Sequence, residues 1–219
     1  MNKEERMMRS KQKMLEMLDT IQEMFPNAKC ELNHRNEFDL LIAVLLSAQC
    51  TDKLVNKVTA ALFQKYHTPE DYVRVPLEEL QTDIRSIGLY RNKSKNIQAL
   101  CQTLIEKYNS EVPQEREALE ALPGVGRKTA NVVLSVAFGV PAIAVDTHVQ
   151  RVSKRLKFCR QKDSVRQVEE TLMQKIPPER WSQAHHQLIF FGRYFCKAQR
   201  PNCTECPFQN DCTTGKKTL

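Results

Sequence analysis

The run Leu122-Pro123-Gly124-Val125-Gly126-Arg127-Lys128-Thr129-Ala130 leaves its backbone few choices. Two glycines one residue apart, after a proline, predict a tight hairpin whose N–H groups converge on an anion. A charged run at 116–121 leads in and a small-residue apolar run at 131–138 leads out, so the hairpin joins two helices. The second begins within a residue or two of Gly126, and its positive end points the same way. Lys128 falls in that first turn, where the helix end disfavours an ammonium and favours a neutral, nucleophilic amine. A Gly-x-Gly between helices also occurs as a plain helix–helix turn with a left-handed cap. The glycine spacing excludes a nucleotide P-loop, and no strand precedes it to make a dinucleotide fingerprint.

With 219 residues, 41% of them hydrophobic, the chain can bury a core without staples, as one domain or two small lobes. Lys and Arg number 33 against 26 for Asp and Glu, a net +7 that suits a polyanionic partner. The longest apolar stretch, 40–46, is a core segment rather than a membrane span. No signal-type core follows the charged N-terminal stretch, so an intracellular, cytoplasmic location at the nucleoid is expected.

Apolar residues recur at helical spacing over 4–24, 37–49, 53–66 and 93–108, and again over 147–157, 164–176 and 179–195. Asp52 reads as the cap of the third helix, and Pro76 as the first helical position of a short one. No period-two alternation appears, so an all-α fold of about ten helices with short loops is expected.

Eight cysteines divide into two populations. Cys30, Cys50, Cys101 and Cys159 are scattered and read as small buried hydrophobes. Cys196, Cys203, Cys206 and Cys212 crowd into one loop, spaced Cys-x6-Cys-x2-Cys-x5-Cys. Zinc sites usually bring two Cys-x2-Cys knuckles, and here there is one. Four thiolates in one short loop suit a compact [4Fe–4S] cubane, with zinc as the alternative. Lys197 and Arg200 put positive charge on the same loop, either to meet a polyanion or to keep it solvated.

Asp146 ends an apolar connector and precedes the helix start Thr147-His148-Val149. As an N-cap its carboxylate accepts backbone N–H bonds. Such caps are common structural devices; an anion fixed near Lys128 would also stabilise developing positive charge.

Together, Leu122–Val133, Val145-Asp146-Thr147-His148-Val149 and the cysteine tail strongly resemble the endonuclease III family of DNA glycosylases. Ser47-Ala48-Gln49-Cys50-Thr51-Asp52 and Ile87-Gly88-Leu89-Tyr90 also look like family segments. The resemblance spans roughly 25–212. It implies a two-lobed all-α helix-hairpin-helix glycosylase fold. A six-helix barrel lobe would occupy 30–140, with the helix-hairpin-helix at about 116–138. An iron–sulfur cluster lobe would be built from 1–29 and 141–219, with the cluster loop at 196–212.

By that similarity, Lys128 is the catalytic lysine, Asp146 the catalytic aspartate and Glu120 an acidic residue tuning them. Gly124, Val125, Gly126 and Arg127 grip a DNA phosphate. Gln49 fills the gap left by an extruded base, Leu89 with Ile87 wedges into the stack, and His148 and Arg151 contact the backbone. The implied activity is base-excision repair. Oxidised pyrimidines leave duplex DNA by lysine attack at the anomeric carbon, and β-elimination cuts 3′ to the lesion. The partner would be double-stranded DNA carrying a damaged base or abasic site, the enzyme a monomer and the cluster structural. Adenine-specific mismatch glycosylases generally lack the hairpin lysine and carry a further C-terminal domain; Lys128 and the stop at Leu219 weigh against that reading. A non-catalytic helix-hairpin-helix DNA-binding protein with a structural metal is the rival of another class, distinguished by needing neither Lys128 nor Asp146.

Overall fold

The computed structural model describes residues 8–214. Every regular element among them is helical: α1 (Lys11–Met24), α2 (Glu37–Ser47), α3 (Asp52–Lys65), α4 (Pro69–Arg74), α5 (Leu77–Asp83), α6 (Tyr90–Tyr108), α7 (Arg116–Glu120), α8 (Arg127–Ala137), α9 (Thr147–Arg155), α10 (Val165–Lys175) and α11 (Trp181–Phe190). A 3-10 turn at Pro178–Arg180 precedes α11, and a π-turn, Phe191–Phe195, continues it. The chain divides into two compact units, Glu31–Val140 and Met1–Cys30 with Pro141–Leu219. No described helix is long and apolar enough to cross a membrane.

In the unit Glu31–Val140, α2 is the central rod. Asn36 caps it by accepting from the Asp39 N–H at 2.8 Å, and every residue from Phe38 to Leu46 is buried. A helix apolar all round needs neighbours on all sides, and α3, α6 and α8 pack against it. Thr51, not Asp52, caps α3, its hydroxyl accepting from the Leu54 N–H at 3.3 Å; Asp52 is the first helical residue. Pro76 likewise sits at the cap and not in the first turn of α5. The long helix begins at Tyr90, three residues ahead of the expected 93, because Leu89 takes a left-handed conformation and serves as its cap.

The other unit gathers Met14, Met17, Leu18 and Ile21 of α1 around Val149 and Val152 of α9, Val168 and Leu172 of α10, and Leu188 with Phe191. Ser10 caps α1, so the helix starts at Lys11; positions 4–7 of the expected helix lie outside the described residues. Asp146 caps α9, and Ser164 with Gln167 forms a reciprocal capping box on α10. Of the scattered cysteines, Cys101 and Cys159 are buried as expected, burial pushing the Cys159 thiol up to about 12. Cys30 and Cys50 are only half-buried.

Candidate active site and nucleic-acid interface

The hairpin is built between α7 and α8. Gly124 takes φ +79°, and a Cβ there would come within 2.9 Å of the Asn96 side chain on α6. Only glycine meets both demands. The Val125 N–H donates to the Leu122 carbonyl at 3.0 Å and its side chain is 6% exposed. Val125 therefore closes the turn and, against expectation, offers no N–H outward. Gly126 is the N-cap of α8 and has no side chain to cap it. The first turn of α8 thus presents backbone donors and a positive dipole end at an exposed surface, the arrangement that binds phosphate. Lys128 lies in this turn and is exposed. Glu120 pairs with Arg127 across the hairpin at 3.5 Å. Arg116 of α7 donates to the Asn131 side-chain oxygen on α8, tying the two helices together.

A second surface of the same unit brings Gln49 and the 87–89 loop together. Gln49 (φ +56°) and Leu89 (φ +60°) are both left-handed, and both are exposed, Leu89 at 57%. A Cβ on Gly88 would sit 3.9 Å from the Gln49 carbonyl, ordinary contact. An exposed leucine on a strained backbone is neither core nor ordinary loop; such outliers collect at functional positions. Ile87 differs: at 1% exposure it packs in the core and does not share the exposed position of Leu89, against expectation.

In the other unit, Asp146 Oδ1 accepts from the N–H groups of His148 and Val149, both at 2.8 Å. The carboxylate is half-buried at the N-terminus of α9. One turn along, Arg151 donates to the carbonyls of Gly192 (2.8 Å) and Cys196 (3.3 Å) and lies 3.2 Å from His148 Nδ1. Its guanidinium braces protein backbone. Gly192 permits the approach, since a Cβ there would meet His148 Cβ at 2.9 Å.

A further turn on, Arg155 reaches the start of the cysteine loop. It donates to the Cys196 carbonyl (3.3 Å), the Cys196 Sγ (3.2 Å), the Lys197 carbonyl (2.7 Å) and the Ala198 carbonyl (3.1 Å). Cys196, Cys203, Cys206 and Cys212 line one cavity with Leu156, Phe191 and Phe195. Burial pushes the Cys206 thiol up to about 11, and the other three cysteines add to the rise. The four sulfurs therefore share one apolar pocket. Among the described residues no three His, Cys, Asp or Glu side chains converge on a single metal-ion position. A cubane, whose own core separates its thiolate ligands, asks for four cysteines around a cavity rather than four donors at a point. The donor set fits such a cluster, and the Arg155 guanidinium donates to the Cys196 sulfur at its edge. Lys197 and Arg200 stand exposed on this loop, Arg200 at φ +50°.

Asn96, Lys93 and Arg155 were not among the expected site residues. Lys93 carried a signal: it stands on the same stripe of α6 as buried Ile97, Leu100 and Leu104. Asn96 and Arg155 carried none, since their partners are remote in sequence.

Residues 42–178 match the family described as HhH-GPD superfamily base excision DNA repair protein. The chain is 68% identical over 200 residues to endonuclease III of Bacillus subtilis, covering 91% of each. It is 50% identical over 208 residues to endonuclease III of Escherichia coli K12, covering 95% of this chain and 98% of that one. A structure of a trapped endonuclease III–DNA covalent intermediate superposes with a TM-score of 0.94 at 68% identity, over 96% of this chain and 99% of that one. A thermostable thymine-DNA glycosylase matches at 0.81 and 25% identity, over 94% and 97%. The chain thus combines a helix-hairpin-helix whose second helix has no side-chain cap, an aspartate that caps α9 and a four-cysteine pocket, and it belongs to the endonuclease III family of HhH-GPD base excision DNA repair proteins.

Proposed function

We propose that this chain is a base-excision-repair DNA glycosylase and AP lyase that removes oxidised pyrimidines from duplex DNA. The observation that carries the reading is the exposed Lys128 in the first turn of α8, beside the phosphate-binding end of the hairpin. A relative 68% identical has been captured as a covalent intermediate with DNA. Covalent capture requires a nucleophile, and Lys128 has the chemistry and the setting for one.

The sugar carbon of a stacked nucleotide is out of reach, so the lesion is first extruded, which costs least for damaged bases. Leu89 enters the stack and Gln49 fills the gap. The phosphate lies on the Gly124–Gly126 turn and the first turn of α8. The Lys128 amine bonds to C1′ as the glycosidic bond breaks; the bonding pair leaves with the base, which takes up the proton that the amine sheds. Asp146, held as an acceptor by two backbone N–H groups, offsets the positive charge that develops on the sugar. Ring opening gives a Schiff base. Loss of a C2′ proton then expels the 3′ phosphate, and water frees the lysine.

Cys196, Cys203, Cys206 and Cys212 would hold a [4Fe–4S] cluster. When bound there, the cluster would cross-link the 196–212 loop, which carries the exposed Lys197 and Arg200. The enzyme acts as a monomer at the nucleoid.

Borohydride trapping on a duplex carrying an oxidised pyrimidine tests the assignment. Wild type is expected to leave a covalent adduct, and Lys128→Ala none, with DNA binding retained. Strand cutting by Lys128→Ala at the wild-type rate would refute it. A chain that binds and neither traps nor cuts would be the non-catalytic binding protein instead.

A further inference from the structure

Lys93 is 5% exposed and sits between the end of α2 and the start of α6. Its Nζ donates to the carbonyls of Leu46 (2.8 Å) and Ala48 (2.6 Å), at the C-terminal end of α2. Its backbone N–H donates to the Leu89 carbonyl at 3.0 Å, in the first turn of α6. Gln49 follows Ala48 directly, so a single residue is bonded to the backbone of Leu89 and to the residue next to Gln49.

Carbonyls in the last turn of a helix lack intrahelical donors, and a cation there satisfies them and meets the negative end of the dipole. Ala48 provides no such closure from its own side chain. Filling the space alone would not call for an amine, because a buried methionine of similar length avoids the desolvation cost that a lysine carries. Burial holds the Lys93 ammonium below the ordinary lysine range. What the amine adds over an apolar side chain is direction: two short hydrogen bonds fix the end of α2 against the start of α6. Both residues carried by these ends, Gln49 and Leu89, are left-handed and exposed. A strained backbone keeps one conformation only where its surroundings over-determine it.

We propose that Lys93 is a positioning residue that locks Gln49 and Leu89 into one rigid element, so that filling the gap and wedging the stack occur as a single event. This rests on the reading of those two residues as the ones that enter DNA. Lys93 itself is buried and touches neither DNA nor the reacting sugar. Its contribution is confined to substrates that have a stack to enter.

The test compares Lys93→Met with wild type on two substrates under single turnover: an oxidised pyrimidine in duplex DNA, and a preformed abasic site in single-stranded DNA. Misplacement of a positioning group by about 1 Å costs on the order of 100-fold, so duplex excision is expected to fall ~10- to 100-fold. Cutting of the single strand is expected to stay within about twofold, since no stack has to be entered. The same substitution is also made in a Gln49→Ala/Leu89→Ala background, where it is expected to add little, because residues acting as one unit are not additive. Should Lys93→Met fail to fold, Lys93→Gln, which keeps two donors on a shorter arm, is read in the same assays with a smaller loss. Equal losses on both substrates, or wild-type duplex excision, would overturn the inference while leaving the wedge reading intact. Wild-type excision by Gln49→Ala/Leu89→Ala would overturn the wedge reading and this inference with it.

Discussion

Gly124 lies directly over Asn96, so close that a methyl group on the glycine would approach the Asn96 amide nitrogen to 2.9 Å. The contact seats the hairpin on α6, the helix that also carries Leu89 at its cap. Gly124→Ala must accept a left-handed backbone, costing about 1–2 kcal/mol, and must also push Asn96 aside. Gly126 differs in both respects: its φ is −103° and nothing stands within 4 Å of a Cβ there. Gly124→Ala is therefore expected to lower stability by about 2 kcal/mol and weaken DNA binding, while Gly126→Ala keeps wild-type stability. Thermal unfolding separates the two. In a duplex-binding assay Gly126→Ala is expected to lose affinity all the same, because the added methyl stands where a phosphate approaches.

Leu89 offers an experiment in which stability and activity part. Its left-handed conformation costs about 1 kcal/mol that a glycine would not bear, and its side chain is 57% exposed, so little core is lost by removing it. Glycine, however, gains about 0.4–1 kcal/mol of unfolded-state entropy. The two terms nearly cancel, and Leu89→Gly is expected to melt within a degree or two of wild type. Excision from duplex DNA is expected to fall about tenfold or more, because unstacking a base step costs a few kcal/mol that the wedge helps to meet. A marked drop in melting temperature would show that Leu89 carries fold rather than function.

The helical class was legible because apolar residues recur at helical spacing and caps announce the starts, as Asp146-Thr147 does. Local signals missed some helix starts by one residue, as at Thr51 against Asp52, where both side chains could cap and the geometry favoured the hydroxyl, and others by more, as at Tyr90. The contribution of Gly124 was readable in kind but not in cause, since its partner Asn96 comes from a different helix. Val125 and Ile87 were misjudged for one shared reason. Sequence names the residues of a loop but not which of their groups the fold consumes, and here the Val125 N–H closes a turn and the Ile87 side chain fills the core. The carbonyl partners of Arg151 are equally hidden from the sequence, because they lie more than forty residues away.

Asp146 combines a cap with a charge, and two substitutions separate them. Asp146→Asn keeps a side-chain oxygen that can accept from His148 and Val149, so α9 stays capped and stability holds. It removes the negative charge, and base excision is expected to fall about 100-fold, the scale of losing one electrostatic group at a reacting centre. Asp146→Ala loses both, adding about 1 kcal/mol of destabilisation to a similar loss of rate. Melting curves and single-turnover excision on the pair check this. Equal melting temperatures for the two variants would mean the cap contributes nothing.

Arg155 joins α9 to the cysteine loop through four acceptors, three carbonyls and the Cys196 sulfur. Methionine fills much of the same volume and supplies no donor. The carbonyls of Lys197 and Ala198 are exposed enough to find water instead, so the fold survives the change. Hydrogen bonds to a charged group are worth about 1.5–3 kcal/mol each at most, and part of that is recovered by solvent. A net cost of about 1–2 kcal/mol is therefore expected for Arg155→Met. The larger effect falls on the bound cluster, because the first ligand loses the hydrogen bond that orients its sulfur. Purified wild type is expected to show broad absorption near ~400 nm from thiolate-held iron and sulfide. In chelator that band is expected to bleach several-fold faster in Arg155→Met, with Lys128 trapping on abasic DNA surviving until the band is gone. A colourless wild-type protein in which metal analysis finds zinc would replace the iron reading with zinc. Identical bleaching rates in the two proteins would show that the guanidinium stabilises only the backbone of the loop.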